Sequence, residues 1–243
     1  MSPTAYPVAV RARFDQPGRW LWLVKWLLLI PHYIVLVFLW LAFVIVTVIA
    51  FFAILFTRTY PRGLFDFNLG VFRWSWRVNY YGYSALGTDR YPPFTLADVP
   101  DSPARLDIEY PGELNRWLPL VKWLLAFPHY LILGGLVGAG STYAGTSNRE
   151  DEYARWAGPG LLLACVLISA VALLFVARYP AGLYDLVVGI NRWSYRVFGY
   201  LAFMTDRYPP FRLDQGGEDP AGGPAEGPDA GPGTDSPAPS PTM

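Results

Sequence analysis

The sequence predicts a mainly α, integral membrane protein made of two tandem repeats, each with an interfacial helix, a transmembrane helix and a polar-striped amphipathic or transmembrane helix, plus short β-strands at one membrane face. Three observations carry this prediction. Residues 33–57 (YIVLVFLWLAFVIVTVIAFFAILFT) contain no charge and no glycine. At 1.5 Å per residue that run reaches roughly 37 Å, enough to cross a hydrocarbon core of about 30 Å. The chain is 53% hydrophobic and 17% aromatic, with a mean hydropathy of +0.26, more apolar than an ordinary soluble domain. And one long stretch occurs twice: YPRGLFDFNLGVFRWSWRV at 60–78 and YPAGLYDLVVGINRWSYRV at 179–197.

The elements follow in order. Residues 1–15 have no apolar core and no cleavage site, so no signal peptide is expected. Residues 7–14 (PVAVRARF) alternate apolar and polar, a strand pattern. Residues 20–30 (WLWLVKWLLLI) are too short to span, and their tryptophans and Lys25 suit a helix at the interface, broken by Pro31 and His32. The uncharged run follows, then the turn 58–63, then the first striped helix to about residue 87. TDRYPPF (88–94) closes the unit, because two prolines forbid further helix.

The second unit repeats this plan. RLDIEYPG (105–112) reads as a strand, and VKWLLAFPHY (121–130) matches VKWLLLIPHY (24–33) at eight of ten positions. The second copy carries 22 extra residues around the polar stretch 141–160; residues 161–177 then read as its spanning helix. TDRYPPF returns unchanged at 205–211. The expected organisation is a first repeat over 1–99, a second over 100–214 with its insertion at 141–160, and a disordered Pro/Gly/Ala-rich tail over 215–243.

Each stripe places an acid, a glycine and two arginines on one helix face: Asp66, Gly70, Arg73 and Arg77, then Asp185, Gly189, Arg192 and Arg196. Two readings stay open. The stripe is an internal Asp–Arg ion pair that fixes packing, with the glycines permitting close helix approach; or it is a polar cavity whose arginines hold an anionic lipid headgroup. A spanning stripe helix is favoured over a flat one, because the turn at 58–63 is short and 183–204 is long and apolar. Both copies then face the same way, with their opening strands pairing on one side. Twelve arginines and lysines then fall on the cytoplasmic side against three outside, so a multi-pass protein of the cell membrane with both termini cytoplasmic is expected.

Other chemistry is sparse. His32 and His129 occupy matching places; a metal shared between them is weaker than a hydrogen-bonded interfacial role. Cys165 stands alone in an apolar run and forms no intramolecular disulfide. No P-loop, nucleophile elbow, HExxH or paired catalytic carboxylates occur, so no enzymatic activity, cofactor or metal is expected. Zero net charge gives no bulk attraction to nucleic acid. The expected partners are the lipid bilayer and either anionic lipid or another membrane protein.

YPRGLFDF…RWSWRV followed by TDRYPPF, after a spanning helix preceded by IPHY, resembles the bacterial membrane family catalogued as domain of unknown function 4389. Both units match, over nearly all of residues 7–214. The resemblance implies an integral membrane protein, often with the unit in tandem, and brings no activity, cofactor or site residues. The reading is a non-enzymatic scaffold or binding module. The alternative is a transport component or an anionic-lipid-binding protein using the Asp/Arg stripes.

Overall fold

The computed structural model describes residues 6–138 and 160–214. Most of the insertion 141–160 and all of the tail 215–243 lie outside the described residues. The described chain is mainly helical, with six helices and one two-stranded sheet. The elements are β1 (Val8–Ala12), α1 (Trp22–Thr57), α2 (Arg62–Tyr81), β2 (Ala104–Ile108), α3 (Leu118–Leu125), α4 (Phe127–Val137), α5 (Leu161–Val176) and α6 (Ala181–Leu201).

The break expected at Pro31 does not occur. α1 runs through it for 36 residues, fusing the expected interfacial and spanning segments. A proline removes one backbone donor, and α1 makes up for that loss by packing along α2 well beyond Pro31. Trp40 Nε1 donates to Ser75 Oγ at 3.2 Å, and Asn68 Nδ2 donates to Thr47 Oγ1 at 3.0 Å. The second copy does break: α3 and α4 meet at Ala126 with a 43° bend, and Pro128 stands in the first turn of α4.

α4 ends at Gly138, whose φ of 88° is left-handed. α5 begins after Gly160, and a Cβ built on Gly160 would collide with the Gly138 backbone. So the chain leaves and re-enters at one point, and the extra residues are inserted into what is continuous helix in the first copy. α1 and α5 then end alike, on left-handed Arg58 (φ 60°) and Ala177 (φ 58°). Each following helix starts just after a proline, Pro61 or Pro180.

α1 is long and apolar enough to cross a membrane, and α3 with α4 passes the same test only if the bent pair counts as one span. α5, at 16 residues or roughly 24 Å, falls short of a hydrocarbon core. The stripe helices α2 and α6, expected to span, are not among the helices apolar enough to do so.

The two copies run in opposite directions, not the same way. Tyr80 near the end of α2 bonds Tyr184 near the start of α6, hydroxyl to hydroxyl at 2.6 Å, while Phe72 packs on Tyr195 further along. Tyr179, just ahead of α6, donates to the Ala85 carbonyl at 2.8 Å, and burial pushes its hydroxyl up to about 12, so it stays a neutral donor. After β2 the chain runs back to the far end of α2, where Leu114 N–H donates to the Arg58 carbonyl at 2.8 Å.

β1 and β2 pair antiparallel, with Val10 opposite Leu106. Val8, Val10, Ala12, Ala104, Leu106 and Ile108 are buried, while Arg11, Arg105 and Asp107 fall on the alternate, outer positions. Three layers result: the sheet, then α2 with α6, then the apolar helices α1 and α3–α5. Leu106→Ala should lower stability in detergent by roughly 2–5 kcal/mol, as for a buried leucine. Asp107→Ala, on the outer face, should cost about 1 kcal/mol or less. Paired thermal melts check the contrast.

Candidate functional site

The stripe and the repeated TDRYPPF form one assembly in each copy, and its centre is a lysine that sequence reasoning did not single out. Lys25 is fully buried in α1; its Nζ donates to the Thr88 carbonyl at 2.7 Å and meets Asp89 Oδ1 at 2.9 Å. Lys122 repeats this in α3, reaching the Thr205 carbonyl at 2.8 Å and Asp206 Oδ1 at 2.8 Å. Each ammonium also lies over a tyrosine ring, Tyr81 at 4.6 Å and Tyr200 at 4.8 Å. Thr–Asp is thus a clamp that neutralises a buried cation, where the sequence reading gave TDRYPPF only the role of closing the unit.

The rest of the motif closes over the histidines. Phe94 stacks on His32 at 4.0 Å between ring centroids, and Phe211 stacks on His129 at 4.1 Å. Trp74 Nε1 donates to His32 Nδ1 at 3.1 Å, and Trp193 Nε1 donates to His129 Nδ1 at 3.2 Å. Tyr91 and Tyr208 hydroxyls donate to the Leu28 and Leu125 carbonyls at 3.1 and 3.0 Å. Each histidine is therefore enclosed by its own copy. Among the described residues no cluster of three or more histidine, cysteine or carboxylate groups could hold a metal.

Among the described residues, neither stripe shows an ion pair between its acid and its own arginines. Asp66 meets Arg62 at 3.4 Å on the exposed surface, with side chains 55% and 65% accessible. Arg73 Nε donates to the Leu106 carbonyl at 3.1 Å, and its NH2 meets Asp107 Oδ1 at 2.7 Å. Arg192 Nε donates to the Val10 carbonyl at 2.9 Å. So each stripe helix holds the strand that opens the other copy. Asp66 lies four positions after Arg62 and seven before Arg73, and helical spacing alone could not supply the partners that Arg73 finds across the fold.

The second arginine of each stripe binds the strap after TDRYPPF. Arg77 donates to the Thr95 carbonyl and, at 3.0 Å, to the Ala97 carbonyl. Arg196 meets Asp214 Oδ2 at 2.5 Å. The stripe glycines seat that strap rather than a helix: a Cβ on Gly70 would stand 2.8 Å from Leu96 Cβ, and one on Gly189 would stand 3.6 Å from Leu213 Cβ. Asp185, the acid of the second stripe, lies one turn before Gly189 on α6.

The family described as domain of unknown function 4389 matches residues 19–95 and 156–212, more than half of the chain. The chain belongs to that family. The first matched segment takes in α1, α2 and TDRYPPF with Lys25 and His32, whereas the second takes in α5, α6 and TDRYPPF and leaves Lys122 and His129, on α3 and α4, ahead of it. No curated protein and no solved structure matches the chain.

Asp66→Asn removes only an exposed pair, so its stability should equal the parent's within about 1 kcal/mol. Asp89→Asn leaves Lys25 buried without its counter-charge, as Asp206→Asn leaves Lys122, and each should cost about 3–5 kcal/mol. Replacing both partners, Lys25→Met with Asp89→Asn, should recover most of that loss. Chemical or thermal unfolding in one detergent measures all four.

Proposed function

We propose that the protein is a non-enzymatic membrane scaffold or binding module that rests one apolar face in the bilayer and presents its sheet to water. The observation that carries this reading is the surface of α1 and α3–α5. Residues such as Trp26, Ile34, Phe38, Val44, Phe52, Leu124, Leu131 and Ile168 stand exposed along it. Lys25 and Lys122 are the only charged residues these helices contain, and both are buried and clamped. A continuous apolar surface of this extent marks a membrane or protein contact.

Orientation follows from the opposite face. The sheet packs on α2 and α6 midway along their length, through Arg73, Trp76 and Arg192. Its outer side carries Arg11, Arg105 and Asp107. Hydrocarbon does not accommodate charged side chains that lack protein or water around them. α1 lies alongside α2, so a crossing α1 would carry the sheet to mid-membrane depth. An α1 lying in the membrane plane leaves the sheet in water and gives both copies the same relation to the bilayer.

The second reading is the multi-pass topology with cytoplasmic termini, favoured by the length and apolarity of α1. Cysteine labelling separates the two, with Cys165 replaced by serine. Single cysteines at Thr59 and Asp101, both exposed in loops, should react from the same side of sealed vesicles if α1 lies in the plane. Reaction from opposite sides would establish a crossing α1 and overturn the in-plane reading.

A further inference from the structure

One groove in the first copy joins an apolar wall to a polar floor. It follows α1 from Tyr33 to Val44, roughly 16 Å at 1.5 Å per residue. Its volume of about 460 Å³ is that of a small-molecule site. Val37, Leu41 and Val44 stand exposed along the wall, and Ser75 and Asn79 of α2 form the floor. Among the described residues, no charged side chain lines the groove.

Ser75 and Asn79 are four positions apart, so they stand one above the other on a single face of α2. The buried Ser75 Oγ accepts from Trp40 Nε1 at 3.2 Å, and Asn79 Nδ2 donates to the Tyr195 hydroxyl at 3.0 Å. Those two bonds leave the serine hydrogen and Asn79 Oδ1 without a partner among the described residues. A buried donor left in that state favours an acceptor beside it. The second copy is built differently at both places. Ser194 donates its hydrogen to the Ile190 carbonyl at 2.8 Å, and Phe198 stands where the first copy has Asn79.

We infer that this groove binds an uncharged lipid with a free hydroxyl, the chemistry of a diacylglycerol. A hydroxyl both accepts and donates. One such group takes the Ser75 hydrogen and gives its own to Asn79 Oδ1, while an acyl chain lies against Val37, Leu41 and Val44. A phosphate or carboxylate would set its charge against Asn79 Oδ1, with no cation in the lining to offset it. An ester or ketone carbonyl would leave Asn79 Oδ1 unmet. The inference rests on the reading that α1 meets the bilayer, because the lipid enters from there, and it holds for an in-plane and for a crossing α1 alike.

The test uses the full chain in phosphatidylcholine nanodiscs with a diacylglycerol that carries a photoactivatable diazirine on one acyl chain. Mass spectrometry reads the labelled positions. Labelling should concentrate on residues 33–44, fall at least fivefold under excess unlabelled diacylglycerol, and persist under the same lipid with its hydroxyl acetylated. Ser75→Ala removes the donor, and Asn79→Phe installs the residue of the second copy; each should cut the competed labelling at least fivefold. Asn79→Phe also takes a donor from the Tyr195 hydroxyl; should it fail to fold, Ser75→Ala still decides. Equal competition by the acetylated lipid, or competed labelling unchanged in Ser75→Ala, overturns the inference. A phosphatidylcholine diazirine separates this from the membrane reading. If it labels α1 while the diacylglycerol label is not competed, the groove inference alone falls; if neither lipid labels α1, the membrane reading falls with it.

Discussion

Everything in this fold follows from two lysines that must be hidden. Lys25 and Lys122 stand on helices whose outer surface is otherwise uncharged, and a free ammonium there is incompatible with an apolar neighbour. Asp89 and Asp206 neutralise them from a loop that must fold back over the helix to do so. That return fixes the rest: it lays an aromatic ring on each histidine, and it draws the strap across the stripe glycine. The strap in turn receives the second stripe arginine. A buried pair of this kind contributes little net stability against an apolar substitute, but removing one partner is severe. Its value here is to specify one arrangement of loop, strap and helix.

The second constraint is the exchange of strands. Arg73 and Arg192 satisfy carbonyls at Leu106 and Val10, which face each other across the ladder. The local two-fold axis thus passes through the centre of the sheet. Neither stripe is completed by its own copy's strand, so the duplication works as an intramolecular dimer. It also lets the copies diverge: the second keeps its carboxylate at Asp214, and the first carries Ala97 at that place.

Much of this plan is legible in the sequence. The repeat, both strands, the stripe helices and the apolar helices fall close to where pattern and breaker residues put them. What sequence periodicity could not supply is partner choice. Asp66 and Arg73 share a helix face, yet Asp66 turns to Arg62 and Arg73 to Asp107, because tertiary neighbours outcompete those along the helix. Pro31 reads as a break, but packing along α2 carries α1 through it, while Pro128 accompanies a bend. The direction of the second copy is also hidden from pattern, since it depends on the path of β2 past α2. The clamp does leave a signal: a lone lysine in each VKW segment and a lone aspartate in each invariant TDRYPPF imply one another.

The central claim is that the clamped lysines leave an uncharged face that lies in the plane of the bilayer. Spin labels at Leu27, Val37, Val44 and Phe52, all exposed on α1, report depth through their relative accessibility to oxygen and to a water-soluble nickel complex. The account predicts one shallow depth shared by all four sites. A profile deepest near Val37 and Val44 and shallow at both ends would show that α1 crosses the membrane and would contradict it.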